Sequence, residues 1–420
     1  MAVKRPRGTN DFLPEDTAKW QYVEQVLRDL CKDYGYEEIR TPIFEDTELF
    51  QRGVGDTTDI VQKEMYTFED AGGRSITLRP ENTAAAARAY IEDKLFAGTQ
   101  PTKLFYIGPM FRYERPQAGR FRQFHQFGVE CFGTNSPAAD AEVIALAWEF
   151  YRRLGLKDME VHLNSVGCPN CRPGHRKELQ KFLEPKYDEL CETCKGRYEK
   201  NPLRILDCKS PVCQELTVGA PTTLDCLCDD CKEHFEQVQK YLDIAGIPYS
   251  IDNRLVRGLD YYTNTAFEIH MQGIGAQSAV CGGGRYNGLI EEIGDKSIPG
   301  VGYAQGMERV FNSLKAQGIE IPVNNDKDVF VATLGKDAGV PAFQILNKLR
   351  ENGVKAEMDL LSRSLKAQMK YADKFNVKYT IILGEDEIAK GVACVRDMSD
   401  SSQTEVALNE VVDYLVNQIK

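Results

Sequence analysis

From Thr17 to Tyr34 the apolar positions Trp20, Val23, Leu27, Leu30 and Cys31 recur at helical spacing, and Gly35 follows as a natural stop. The run predicts an amphipathic helix. The "EEIRTP" after it reads as a short strand ending at Pro42, which has no N–H to give a ladder, so an edge or a strand end is expected there. Between Lys103 and Gly133 two antiparallel strands are predicted, "KLFYIGPMFRYE" and "FRQFHQFGVECFG", joined by a loop containing Pro116 and Gly119. Further strands are expected at "LDYYTNTAFEIH" (259–270) and "GAQSAVCGG" (275–283), and a helix from near Gly306 with Met307, Val310, Phe311 and Leu314 on one face. Strands and helices that do not alternate regularly point to an α+β domain on a mainly antiparallel sheet.

Beyond Pro322 the pattern changes. "VNNDKD" reads as a linker, and after it "VFVATLG", a helix over 338–352, "KAEMDL", a helix over 364–375, "YTIILG", "VACVRDM" and a last helix from Asn409 alternate as in a small α/β domain with a mainly parallel sheet. The expected organisation is a domain over 1–325, interrupted by an insertion over 164–237, and a second domain over 328–420.

Composition narrows the class. With 420 residues, 42% hydrophobic and 27% charged, the chain has the make-up of a soluble globular protein of two or three domains. No apolar run reaches the roughly 18 to 20 residues of a membrane span, and "MAVKRPRGTNDFLPED" lacks the apolar core of a signal peptide, so a cytoplasmic location is expected. A net charge of −11 argues against indiscriminate binding to nucleic acid and leaves room only for a local basic patch. Nine of the 13 cysteines fall between Cys168 and Cys231, a density that suggests metal before disulfides in a reducing compartment.

Alternation sorts the return strand of the predicted hairpin. Phe124, Gln126, Gly128 and Glu130 share one face, and Gln123, His125, Phe127 and Val129 the other. The first face offers an aromatic plane, an amide, an empty position where a ligand can approach the backbone, and a carboxylate. The competing reading is a solvated surface hairpin, and His125 alone is weak evidence for chemistry. Arg112, Arg115, Arg120 and Arg122 around one loop make a stronger sign, because guanidinium forks bind phosphate oxygens in pairs. No G-x-x-x-x-G-K-[ST] occurs, and "PGVGYAQGMER" fails G-x-G-x-x-G at Gln305. Phosphate would therefore be held by arginines on an antiparallel sheet, with Arg257 at a strand entrance and Arg309 in the first turn of a helix as further members.

"RTPIFEDTELFQR", "MFRYERPQAGRFRQFHQFGVECFG" and "GVGYAQGMERV" resemble the three motifs of class II aminoacyl-tRNA synthetases, and "RLVRGLDYYTNTAFE" with "VCGGGRYNGL" resembles the segments peculiar to histidyl-tRNA synthetases. The resemblance runs from "RGTNDFLP" to "RSLKAQMKYADK". It implies a class II catalytic domain, an anticodon-binding domain over 328–420, a homodimer built on the first motif, and histidine activation by ATP with Mg²⁺ followed by transfer to tRNA(His). Residue by residue, it implies Arg112 on the α-phosphate, Arg309 on the nucleotide from the other side and Phe124 under adenine. Glu81, Thr83 and Gln126 would take the amino group, Glu130 and Tyr262 the imidazole with Tyr261 beside them, and Arg257 the reacting carboxylate and phosphate. Arg115, Gln117 and Arg120 would meet the acceptor end of tRNA. One departure stands out: Asn82 occupies a position where the family leads one to expect Gly.

Cys168-x2-Cys171 and Cys191-x2-Cys194, separated by 19 residues, have the spacing of a four-cysteine zinc site. Cys208, Cys213, Cys226, Cys228 and Cys231 supply a second site, or the pairs are shared differently; the spacing does not choose. Two other functions compete with the main reading: a non-catalytic histidine-binding regulatory subunit of an ATP phosphoribosyltransferase, and a class II synthetase for another amino acid. The first should lack the ATP-binding arginines and the C-terminal domain. The second has no evident use for "RGLDYY" together with Glu130.

Overall fold

The computed structural model describes residues 3–55, 58–116, 120–271, 279–294, 296–323 and 327–419, in two compact units that divide at Ile321 and Pro322. In the first unit the strands are β1 (Glu37–Glu38), β2 (Phe44–Asp46), β3 (Tyr66–Glu69), β4 (Ser75–Leu78), β5 (Thr102–Phe111), β6 (Gln123–Phe132), β7 (Met159–Ser165), β8 (Tyr249–Ile251), β9 (Thr263–Met271), β10 (Ala279–Arg285) and β11 (Gly300–Gly306). Eight of them form one sheet in the order β1-β5-β6-β11-β10-β9-β7-β8, and β2-β4-β3 make a small second sheet. Only the outermost pairings, β1 with β5 and β7 with β8, are parallel.

The helix Pro14–Asp33 begins with proline at its first position and acidic residues in its first turn, both of which suit a helix start, and buries Val23, Leu27, Leu30 and Cys31. It packs with the helix Pro137–Arg153 on the face of β6 that carries Phe127 and Val129, forming the main core. That burial leaves the opposite face of the sheet for the polar residues. The expected "EEIRTP" strand shrinks to Glu37–Glu38 at the sheet edge, and Ile39 adds one last N–H donation to Phe105. β5 and β6 pair from Thr102 opposite Phe132 to Phe111 opposite Gln123.

The strand expected from Leu259 begins only at Thr263, because the backbone before it bonds elsewhere. Asp260 N–H donates to Val54, the carbonyl of Tyr262 accepts from Arg172, and Asn264 takes a left-handed φ of 48°. The strand expected over 275–283 appears as β10, with 272–278 outside the described residues.

Within the insertion, Asn164 and Ser165 finish β7, and the helix Asp229–Ala245 buries Phe235, Val238 and Leu242 in the main core. What lies between is short helices around a core of eight buried residues, three of them cysteines. In the second unit β12 (Val329–Thr333), β13 (Ala356–Met358), β14 (Tyr379–Leu383), β15 (Val392–Asp397) and β16 (Gln403–Ala407) stand in the order β13-β12-β14-β15-β16. β12 is parallel to β13 and β14, but β14/β15 and β15/β16 are antiparallel, so the sheet is mixed and not mainly parallel. The connections over 384–391 and 398–402 are shorter than the dozen or so residues a parallel crossover needs.

Candidate active site

A cavity of about 300 Å³ opens on the face of β6 away from the main core, between the β5/β6 hairpin, the 257–262 loop, β10 and β11. Glu81, Thr83, Arg112, Phe124, Gln126, Arg257, Tyr261, Tyr262 and Arg309 all contribute to its wall. Alternation along β6 thus placed Phe124 and Gln126 correctly. Tyr261 and Tyr262 both reach the cavity, although neighbours in a strand cannot, because their segment is a loop.

Register orders the site along β6. Glu130 lies opposite Gly302 and Gln126 opposite Gly306, so Arg309, three residues after Gly306, sits toward the Phe124 end. Arg112, just past the Phe111–Gln123 pair, is at the same end with its guanidinium 5.3 Å from the Phe124 ring and its Nε donating to Pro80 at 2.8 Å. Phe124 and Glu130 are then about 20 Å apart at roughly 3.3 Å per residue. Positive charge gathers at one end and a buried carboxylate at the other.

Glu130 is 1% exposed and lies just behind the wall, where its carboxylate accepts from the Tyr106 hydroxyl at 3.1 Å and from the Tyr286 hydroxyl. Burial pushes its carboxyl up to about 8, although those tyrosines and Thr83 donate bonds that favour the anion. Gly302 makes the arrangement possible: a Cβ there would come within 2.3 Å of a Glu130 carboxylate oxygen and 2.7 Å of the Tyr286 hydroxyl. Gly128 does not leave backbone open to a ligand as alternation suggested. Tyr106, directly opposite on β5, fills the space, and a Cβ on Gly128 would meet its hydroxyl at 2.3 Å.

Glu81 is a second buried carboxylate, oriented by accepting the backbone N–H groups of Thr83 at 2.7 Å and Ala84 at 3.0 Å at the start of the helix Thr83–Glu92, and raised by burial. Gln126 leaves its Oε1 buried without a hydrogen-bond partner among the described residues, an acceptor set in the cavity wall. Asn82 turns away from the site: its Oδ1 accepts from the Thr41 hydroxyl at 2.6 Å and from Arg79 at 3.2 Å. Its φ of −122° needs no glycine, so the side chain fits where Gly was expected.

Arg257 is ion-paired to Glu268 and lies 5.6 Å from the Tyr262 ring. Burial alone lowers its basicity, but Glu268 and the tyrosines outweigh that and hold it protonated. Gly282 cradles it, since a Cβ there would fall 2.4 Å from Nη1. Arg309 donates to the Ala279 carbonyl at 2.5 Å, and burial, with Arg120 beside it, lowers its basicity.

The four arginines of the loop do not form one anion site. Arg112 and Arg120 line the cavity, Arg120 paired with Glu114 at 3.2 Å; Arg115 is exposed; Arg122 lies 4.1 Å from the Tyr113 ring. Gln117 is outside the described residues. His125 faces the other way, between Phe12 and Trp20, with Nδ1 3.2 Å from Glu308, and is structural. Tyr106, Tyr286, Glu268, Gly282 and Gly302 escaped the sequence reading. The large Tyr106 opposite Gly128 was the available signal for the first, and "GGGRYNGL" for the second.

The cysteine pairs also sort differently. Cys168 and Cys171 converge with Cys228 and Cys231, and Cys191 and Cys194 with Cys208 and Cys213, so the four residues first grouped as a zinc site belong to two clusters. Chain path decides this: the helix Arg172–Leu183 carries the chain away from the first knuckle, and the helix Asp229–Ala245 starts beside it.

Comparison with known proteins agrees with this geometry. The family model described as histidyl-tRNA synthetase matches residues 8–191 and 214–310, and one described as an anticodon binding domain matches 328–418. The chain is 60% identical over 415 residues to a histidine–tRNA ligase of Desulforamulus reducens, covering 99% of both chains, and 58% identical over 419 residues to that of Pelotomaculum thermopropionicum, covering 100% of this chain and 99% of the relative. The solved apo structure of the S. aureus histidyl-tRNA synthetase superposes with a TM-score of 0.85 at 43% identity, covering 99% of this chain and 100% of the other. A class II cavity with an arginine end and a buried carboxylate end, matched over its full length by these relatives, places the chain in the histidyl-tRNA synthetase family.

Proposed function

We infer that this cavity is where the chain acts as a histidine–tRNA ligase, with ATP at the Phe124 end and the imidazole at the Glu130 end. In the first step a carboxylate oxygen of histidine attacks the α-phosphorus of ATP, forming histidyl-adenylate and expelling pyrophosphate. In the second a hydroxyl of the 3′-terminal adenosine of tRNA(His) attacks the histidyl carbonyl and expels AMP.

The observation that carries the assignment is Glu130, a carboxylate buried against two tyrosine hydroxyls at the far end of a cavity whose near end is lined by arginines. We assign Arg112 to the α-phosphate, Arg309 to the nucleotide from the opposite wall and Phe124 to the adenine face. Glu81, Thr83 and the unpartnered Oε1 of Gln126 take the ammonium group, and Glu130 with Tyr262 takes the imidazole beside Tyr261. Arg257 bridges the two ends, where fixed positive charge favours the pentavalent transition state over the ground state. Rejecting other side chains needs no editing, since a ligand without ring nitrogens leaves buried polar groups unpaired.

The class II family uses ATP with Mg²⁺, which when bound neutralises phosphate charge. Glu114 and Glu308, which line the phosphate end, are the hard oxygen donors that would hold it there. Exposed Arg115, with Gln117 and Arg120, meets the acceptor end of tRNA, and the 328–420 domain its anticodon region. We place the enzyme in the cytoplasm as a homodimer joined through the first motif, with zinc on the insertion's thiols.

Amino-acid-dependent ATP–pyrophosphate exchange across histidine, proline, threonine and glycine, followed by tRNA charging, tests the assignment. Exchange with histidine alone and charging of tRNA(His) are expected; exchange with another amino acid, or none with histidine, refutes it. The regulatory-subunit reading gains nothing from the structure, since Arg112, Arg257 and Arg309 all line the cavity.

A further inference from the structure

The insertion cysteines are the largest set of chemistry-bearing side chains that histidine activation leaves unused. The sulfurs of Cys168, Cys171, Cys228 and Cys231 all lie within 4.8 Å of one another, as do those of Cys191, Cys194, Cys208 and Cys213. Individual separations are 3.5 Å for Cys168 and Cys171, 3.9 Å for Cys168 and Cys228, and 3.8 Å for Cys191 and Cys208. Four thiolates around one zinc at about 2.3 Å stand about 3.8 Å apart by tetrahedral geometry. A disulfide would draw two of them to about 2.05 Å and strand the others. A cage of several irons would spread them wider.

We propose that the insertion holds two mononuclear zinc ions, one at its root on Cys168, Cys171, Cys228 and Cys231 and one in its interior on Cys191, Cys194, Cys208 and Cys213, and that the root ion positions Tyr262 in the wall of the histidine pocket. Both sites have the N–H donors that thiolate ligands need. Cys228 N–H donates to Cys171 Sγ at 3.1 Å and the Asn264 amide to Cys231 Sγ at 3.2 Å; Cys191 N–H donates to Cys213 Sγ at 3.4 Å and Ser210 N–H to Cys208 Sγ at 3.5 Å. Cys171, Cys191 and Cys228 each sit at the N-cap of a helix, where the dipole favours a thiolate.

The root site is wired to the active site through Asn264. This residue holds a left-handed backbone, donates its N–H to Gly167 at 3.1 Å, accepts from Val166 N–H at 2.7 Å, and reaches Cys231 with its side chain. Arg172, next to Cys171, donates to the carbonyls of Val166 and Tyr262. The residues flanking two ligands therefore fasten the backbone on which Tyr262 stands. The interior site packs in the insertion's own core, around Leu179, Leu183 and Ile205, and that core meets the 257–262 loop through side chains, Leu203 against the Tyr262 cluster and Asn201 donating to Asp260 at 2.9 Å. Losing the root ion should loosen the histidine pocket more than losing the interior ion, because the root fastens the Tyr262 backbone itself.

The link to histidine rests on the reading of Tyr262 as a wall of that pocket; the metal count does not. Protein purified without added zinc is analysed for metal, and pyrophosphate exchange is measured for wild type, Cys231→Ser and Cys213→Ser. Two zinc ions per chain are expected in the wild type and one in each variant, with KM for histidine raised on the order of tenfold in Cys231→Ser, by less in Cys213→Ser, and KM for ATP within about twofold in both. Fewer than two zinc ions per wild-type chain, or iron in their place, overturns the sites. An unchanged histidine KM in Cys231→Ser lacking one zinc overturns the coupling while leaving the sites standing. Should that variant not fold, zinc released from folded wild type by a thiol-blocking mercurial gives the count, and exchange after partial release, then after excess dithiothreitol removes the mercurial and zinc is restored, gives the coupling. Absence of histidine exchange in the wild type is a failure of the functional assignment, recorded separately from the metal count.

Discussion

The β6 floor and the cysteine-rich insertion solve opposite problems. β6 is held along its whole length by β5 and from Gln126 onward by β11, and backed by the main apolar core, so its other face is free to carry buried polar groups at fixed heights. Between Val166 and Cys228 the insertion has no strand of its own and a core of eight buried residues, so its order depends on side chains that converge from distant positions. In the first region a substitution should change chemistry and spare the fold. In the second it should change the fold locally and reach the chemistry mainly through the root.

The sharpest way to break the comparison is at Glu130. Glu130→Ala takes a partner from the Tyr106 and Tyr286 hydroxyls and removes the proposed acceptor of the imidazole, and we expect loss of histidine-dependent pyrophosphate exchange by roughly 10³-fold or more, with thermal unfolding still cooperative. Near-normal exchange would mean that the carboxylate is a structural fixture of the tyrosine cluster. Gly282→Ala tests positioning without removing a functional group. Its methyl would displace the Arg257 guanidinium, so kcat should fall on the order of 10²-fold, while KM for ATP moves little. A rise confined to KM, with kcat unchanged, would assign Arg257 to ground-state binding.

On the other side, Leu183→Ala should cost about 2–4 kcal/mol, because the residue is fully buried in a small core. Hydrogen exchange is expected to rise across the insertion and not in β5 or β6, and histidine exchange kinetics should stay within about twofold. If β6 amides lose protection as well, the two regions unfold as one.

The last prediction concerns pH. The Glu130 carboxyl rises from 4.5 to about 8 on folding, driven by burial. Between those values the folded state keeps a proton that the unfolded state has released, so this group lowers stability as pH rises, by at most about 1.4 kcal/mol per unit, and is without further effect above about 8. Comparing denaturation midpoints of wild type and Glu130→Gln from pH 5 to 8 isolates the term. The wild type should weaken relative to the variant as pH rises, and parallel curves would show that Glu130 is ionised when buried.

Alternation along "FHQFGVE" was enough to put Phe124, Gln126 and Glu130 on one face and Phe127 and Val129 in the core, because a paired strand offers a side chain only two directions. The same rule misjudged Gly128, where the missing side chain makes room for Tyr106 from the neighbouring strand. It also failed at Tyr261 and Tyr262, whose backbone is tied to Val54 and Arg172 and is not a strand. The arginine cluster looked like one anion site because its members are close in sequence, but Arg122 is taken up by Tyr113 and Arg120 by Glu114.

What the sequence determined by itself is what local periodicity and recognisable motifs encode: the helix from Pro14, the β5/β6 hairpin and the class of the enzyme. Tertiary structure alone decided the partners of Glu130, the glycine cradles at Gly282 and Gly302, and the division of eight cysteines into two groups. Each of these depends on distances between residues far apart in the chain, and spacing along a chain does not contain such distances until the backbone has chosen its path.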